Sequence, residues 1–403
     1  MKRPLILLLI AALMGFLSGP AFSQNYIAGH HVARESVLRS IPEAYINAAR
    51  TELVISYQHT SHGTHVSRGV FGLQDYKSGD NVLFGVSESP SAGLLEFRDN
   101  ELENYAPAGV DAADLSRNET AFIQTTRNYL DAPENASVNV IMWAWCNIAD
   151  HDVAGNYLPG MAALISEYGE GGSKIGTGQG QRELPVSFIF MTGHANRNAN
   201  TGDGNPMEQA ELIINYCKAN AQFCLDYYSI DTHTMGNTYF EDTGDDGDSD
   251  DYGGNFYRDW QHAGSLGQDY YENKVEPGGR VDFGEHNTQH ITANRKAYAF
   301  WWILARIAGW AGDETAVEPA AMHHDLQLYP NPGSGIFHLE FPYVDISSLQ
   351  VLDGLGREVV SLLSGEISSP VSIDLSGHSP GIYVIRVRDS KQHMHQSKVL
   401  LVE

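Results

Sequence analysis

Cysteine is scarce in this chain: Cys146, Cys217 and Cys224 are the three among 403 residues. Three thiols cannot build the dense disulfide framework of a small exported scaffold, so the fold must rest on buried apolar surface. Cys217 and Cys224 can pair in an oxidising compartment, which would leave Cys146 free. Basic residues are scarce as well. Lys and Arg number 25 against 50 for Asp and Glu, a net charge of -25; a surface of that sign repels phosphate backbones and argues against nucleic acid as a partner. After the first 24 residues no run approaches the roughly 20 apolar residues that a membrane span needs, so no membrane span is expected. No internal repeat is present.

The start of the chain, "MKRPLILLLIAALMGFLSGPAFSQ", sets Lys2 and Arg3 before an apolar run and a small-residue stretch, the pattern of a signal peptide over residues 1–23. Residues 311–325, "AGDETAVEPAAMHHD", lose periodicity and read as a linker. From 326 to 403, short alternating runs broken by Gly, Pro, Asn and Asp predict a small β-sandwich. Within it, Tyr329-Pro-Asn-Pro332, "VLDGLGREV", "LSGHSPGIYVIRV" and Lys398 closely resemble the C-terminal sorting domain of type IX secretion in Bacteroidota. The resemblance implies the type IX secretion machinery as a partner, passage across the outer membrane, and release or surface attachment.

The central residues, 24–310, carry four near-continuous apolar runs at 52–58, 138–145, 185–193 and 223–231. Such runs suit strands covered on both faces. The helical patterns "NETAFIQTTRNYL", "LPGMAALISEYG" and "PMEQAELIINYCKAN" lie between them, and "ITANRKAYAFWWILARIAGW" closes the domain. The expected fold is a three-layer α/β/α sandwich with a parallel sheet. Ligands of such sheets gather at the carboxyl ends of the strands, which selects "HTSHGTH", "CNIADHD", "GHANRN" and "DTHTMGN".

The first of these, within "YQHTSHGTHVSRG" (57–69), admits three readings. It looks like the histidine block of a subtilisin-like protease, but that family's G-T-S-x-A-x-P serine block is missing. As a metal site it offers His59, His62 and His65 spaced by threes, with His194, Asp231 or His233 as further ligands from other strand ends. As a nucleophile site it places Ser61 where a strand enters a helix, whose first amides favour a developing oxyanion.

The third reading is similar to the SGNH, or GDSL-like, hydrolases from residue 52 to about 310. That resemblance implies Ser61 as nucleophile and Asn147, in "IMWAWCNIAD", as oxyanion donor, although Trp145 stands where the family has Gly. "NTQHITANRKAYA" looks like the last block, which implies His290 as general base; Asn287 takes the place of the family's Asp. His286, four residues after Asp282, is the alternative base, and Gly85 is a weak match to the second block's glycine. His62, His194, Asn196, Asp231 and His233 are expected to shape the substrate pocket, with Asp231 a substitute acid for the base.

The activity implied is ester hydrolysis on decorated polysaccharide or another extracellular ester. The alternatives are a non-catalytic glycan-binding or surface protein on the same fold, and a metal-dependent hydrolase. No cofactor is called for beyond a calcium ion at "EDTGDDGDSDD" (241–251), whose simpler reading is a solvated loop. Counted from Asp242, Gly244 and Gly253 break the EF-hand register.

Overall fold

The computed structural model describes residues 26–312, 327–331, 333–340, 346–353, 357–363, 371–389 and 394–402. The expected signal peptide, and all of the expected linker but its first two residues, lie outside the described residues.

Seven strands build the central sheet: β1 (Ile27–Ala28), β2 (Val54–Gln58), β3 (Val86–Ser87), β4 (Leu95–Asp99), β5 (Val140–Trp143), β6 (Ser187–Met191) and β7 (Cys224–Leu225). Their order is β1-β7-β6-β5-β2-β4-β3 and every pairing is parallel. Successive side chains of a strand point to opposite faces, and here both faces are apolar. Ile55, Tyr57, Val140, Met142, Ile189 and Met191 enter one core, with Val66 and Val70 of helix Thr64–Leu73 and Ala297 and Trp301 of helix His290–Ile307. Ile141, Trp143, Phe188 and Phe190 enter the other, against helices Ala121–Asp131, Leu158–Tyr168 and Pro206–Asn220. The result is a helix-sheet-helix arrangement.

The closing helix is buried at every position from His290 to Arg306. It touches the Thr64 helix backbone to backbone. A Cβ on Gly69 would lie 2.1 Å from the Ala293 carbonyl oxygen, so only glycine permits this approach.

Two expectations need correction. The run 223–231 is a strand only over Cys224–Leu225, because the Asp226 carboxylate accepts the Ser229 N–H and starts a helix, Tyr227–Thr232. All three cysteines are free, with Cys217 and Cys224 buried. Strand β4 was hidden in the sequence by Glu96 and Arg98, whose side chains pair at 2.7 Å.

The C-terminal residues form two antiparallel sheets, one of Gln327–Tyr329, Ile336–Glu340 and Val371–Asp374, the other of Ile346–Leu352, Glu358–Leu363, Gly381–Asp389 and Met394–Leu401. Phe337, Leu339 and Ile373 of the first share a core with Leu349, Val351, Ile385 and Val387 of the second.

Candidate active site

At the carboxyl end of β2 the chain must stop pairing and turn sharply. His59 ends the strand with Nε2 2.9 Å from Asp99 Oδ1 on β4, and the Thr60 hydroxyl donates to Asp114. Ser61 then opens a single 3-10 turn, Ser61–Gly63, that runs into the Thr64 helix. Its φ is +29°, a conformation that costs a non-glycine residue energy and is found where function requires it. Gly63 makes the turn fit: a Cβ there would meet His59 Cβ at 2.3 Å and Ala144 Cβ at 2.8 Å.

His62 is the centre of the cluster. Its ring is sandwiched between His194 (centroids 3.6 Å, planes 14° apart) and His286 (4.5 Å, 12°). In the ring plane, Nε2 lies 2.6 Å from Asp245 Oδ2 and Nδ1 lies 3.9 Å from the Cys146 sulfur. Burial disfavours charge on His62, but the bond to Asp245 and the neighbouring Cys146 outweigh it and raise its pKa to about 9. The hydrogen bond from His62 lowers the Cys146 thiol against the pull of burial, and Ser61 adds a second hydrogen bond. Asp245 is held below the usual carboxylate range by its bond to His62 despite being largely buried. His194, whose Nδ1–H donates to the Ala195 carbonyl (2.8 Å), falls to about 4 through burial and the adjacent His62 charge, and stays neutral.

Beneath this layer lies a fully buried polar floor. Lys296 Nζ is 2.7 Å from Asp231 Oδ1, both side chains being 0% exposed. Asp231 Oδ2 accepts the Ala195 N–H, which ties the His194 loop to the floor. Burial pushes Asp231 up to about 6 against the pull of Lys296, and lowers Lys296. His65 Nδ1 sits 2.6 Å from the Tyr227 hydroxyl and 3.3 Å from Lys296 Nζ, while its Nε2 faces the Glu285 carbonyl. Burial and the Lys296 cation push His65 well below its ordinary range, so it remains neutral. Tyr227 also donates to the His62 carbonyl at 2.7 Å.

The structure brings together Ser61, His62, His194 and His286 and leaves other expected residues apart. His290 is a correction: its Nδ1 accepts the Asn273 N–H, its ring stacks on Phe283, and it makes no hydrogen bond to Ser61. Asn287 does not orient it; its side chain accepts from Thr292 Oγ1 and the Gln289 N–H just ahead of the closing helix. Asp231 contacts no imidazole and so is not the acid of a base. His233 stacks on His30 instead (3.6 Å, 2°) with Nδ1 against the Ser229 carbonyl.

Asn147 is exposed beside Cys146, and its Oδ1 accepts the Ala149 N–H and Asn196 Nδ2. The backbone N–H groups of Cys146 and Asn147 both donate to Ser116 Oγ. Asp282 pairs with Arg68 at 2.8 Å.

Asp245 is the residue that sequence reasoning missed. It is one of several acids in 241–251, and nothing in the spacing singles it out. Four of the others are used elsewhere. Asp242 accepts from Ser249, Asp250 and Asp251, Asp246 accepts from Thr288, and Asp248 and Asp250 pair with Arg197. Their oxygens thus serve separate partners instead of converging on one calcium ion. Among the described residues, one group could share an ion: a ring nitrogen each of His62 and His286 and an Asp245 oxygen lie within 4.8 Å of one another. His59, His62 and His65 themselves face different partners.

Residues 327–402 match the model of the secretion system C-terminal sorting domain. The protein therefore carries a type IX sorting domain and is directed to the cell surface or beyond it. Among the described residues no helix is long and apolar enough to cross a membrane. No curated protein matches the chain. Among solved structures, CopC from Methylosinus trichosporium OB3b is 23% identical over 18% of this chain and 79% of its own length, with a TM-score of 0.14. An engineered protein is 12% identical over 85% of this chain and 60% of its own length, with a TM-score of 0.20.

Proposed function

We propose that this exported protein is an SGNH-like ester hydrolase that works by covalent catalysis at the carboxyl ends of β2 and β5. The observation that carries the reading is the 2.6 Å contact between His62 Nε2 and Asp245 Oδ2. A base needs an acceptor on its far nitrogen to fix its tautomer and to stabilise it once protonated, and Asp245 supplies the carboxylate that Asn287 does not. Two nucleophiles stand beside the dyad, Ser61 in its left-handed turn and Cys146. Asn147 suits an oxyanion donor, since its oxygen is engaged by Ala149 and Asn196 and its Nδ2 is left to donate.

The strand order also supports the reading. Numbering β2, β4, β5, β6 and β7 in chain order as 1 to 5, they lie in space as 2-1-3-4-5, a doubly wound order whose ligands bind at the carboxyl edge. Decorated polysaccharide suits a cleft of about 370 Å³ lined by Phe240, Tyr252, Phe256 and Trp260, because aromatic faces stack on sugar rings. The cleft borders the same loop that carries Asp245.

The test is turnover of p-nitrophenyl acetate and of acetylated polysaccharides by the mature protein. Loss of turnover in His62→Ala by about 10²–10⁴-fold, the usual worth of a general base, is expected. Wild-type protein inert on every ester sinks the reading. The 4.8 Å group of His62, Asp245 and His286 favours a metal-dependent hydrolase as the second reading, and turnover that vanishes on chelation and returns with zinc would select it.

A further inference from the structure

We infer that Cys146, and not Ser61, is the nucleophile of this site, with His62 as its base and Asp245 holding the ring. The inference rests on the ester-hydrolase reading and specifies its reacting atom.

Three observations point to the sulfur. The Nδ1 of His62 is 3.9 Å from Cys146 Sγ, within reach of a sulfur hydrogen bond, whereas no imidazole among the described residues is hydrogen-bonded to the Ser61 hydroxyl. The ring cannot swing to serve another partner, because Asp245 fixes Nε2 and His194 and His286 clamp both faces. The thiol is placed as a nucleophile must be. It lies three residues beyond the carboxyl end of β5, is only half-buried, and precedes Asn147 with its unengaged amide nitrogen. Cys, His and Asp therefore stand in the order nucleophile, base, orienting acid. Ser61 is left as a positioning residue whose hydroxyl favours the ionised form of the thiol.

The step balances without a further reactant. Cys146 enters as the thiolate, its proton already on His62 Nδ1; the sulfur bonds to the acyl carbon, and that proton then leaves with the alkoxide as the ester C–O bond breaks. Water next attacks the thioester and gives its proton to His62. The carbon–sulfur bond breaks, the carboxylic acid departs, and the thiolate is left beside the protonated ring.

The test uses the mature protein and p-nitrophenyl acetate, with Cys146→Ala, Cys146→Ser and Ser61→Ala compared after thermal melts verify folding. Both Cys146 variants should lose kcat/KM by on the order of 10³-fold or more, and Ser61→Ala by about tenfold. Acid-quenched wild-type protein should carry one acetyl group on the peptide holding Cys146, released by neutral hydroxylamine as a thioester is. An acetyl group on Ser61, or a Cys146→Ala protein with wild-type turnover, overturns the assignment and leaves the hydrolase reading standing.

If the wild type turns over no ester, the hydrolase reading fails and iodoacetamide decides the thiol's activation. Alkylation of Cys146 at least about tenfold faster in wild type than in His62→Ala supports a base-activated sulfur, and equal rates contradict it.

Discussion

His62 and Asp245 lie 183 residues apart in the chain and 2.6 Å apart in the fold. The contact brings a carboxylate from an acidic loop to the far nitrogen of an imidazole at the end of β2. The near nitrogen of that imidazole faces a thiol at the end of β5. The chemistry of the site follows from this alignment of three side chains.

The pH dependence of turnover separates the two nucleophiles. His62 faces Asp245, Cys146, His194 and His286, and its pKa is raised to about 9. In the proposed mechanism the Cys146 proton already sits on His62 below that value, so kcat/KM should hold through neutral pH and fall as pH passes about 9. A serine mechanism requires neutral imidazole at the start and would instead rise toward pH 9. A profile on p-nitrophenyl acetate, corrected for spontaneous hydrolysis, distinguishes them.

The same shift makes a stability prediction. His62 has a folded-state pKa above its unfolded value, so its contribution is complete below about pH 6.5 and is lost as pH rises through about 9. At the acid end it also requires Asp245 ionised, and Asp245 is lowered. Urea unfolding should show wild type exceeding His62→Gln by about 3 kcal/mol near pH 6, with the gap shrinking by pH 9. A gap that grows with pH contradicts the assignment.

Removing Lys296 should damage the fold before it damages chemistry. Lys296→Met leaves Asp231 fully buried without its cation, which costs about 3–5 kcal/mol. Denaturant midpoints measure this, and the double variant Lys296→Met with Asp231→Leu should recover much of the loss.

Much of this fold is legible in the sequence. The doubly covered strands β2, β5 and β6 and the closing helix follow from unbroken apolar runs, and the carboxyl-edge rule selects the turn holding Ser61 and His62 as well as the loops of Cys146 and His194. What fails is long-range pairing of polar groups. His290 heads the closing helix at the position where a family resemblance places a base, yet the chain before it loops so that His286, with φ +56°, reaches the site instead. Asp245 is chemically identical to its neighbours in 241–251, and only the folded loop distinguishes it. Short β4 is obscured because its Glu96 and Arg98 satisfy each other, which a periodicity argument reads as loop.

Chelation is a further discriminating condition. The hydrogen-bonded residues Asp245 and His62 are two of the three in the 4.8 Å group. A proton-transfer dyad predicts that dialysis against EDTA leaves kcat/KM within about twofold, and that added zinc inhibits by displacing the proton from the ring.

The most direct test of the account is kcat/KM of Asp245→Asn against wild type on p-nitrophenyl acetate. Asparagine retains the shape but stabilises no imidazolium, so a fall of about 10²–10⁴-fold is expected in protein that thermal melts show to be folded. An Asp245→Asn protein that turns over ester at the wild-type rate would contradict the account, because the carboxylate would then be no part of the chemistry.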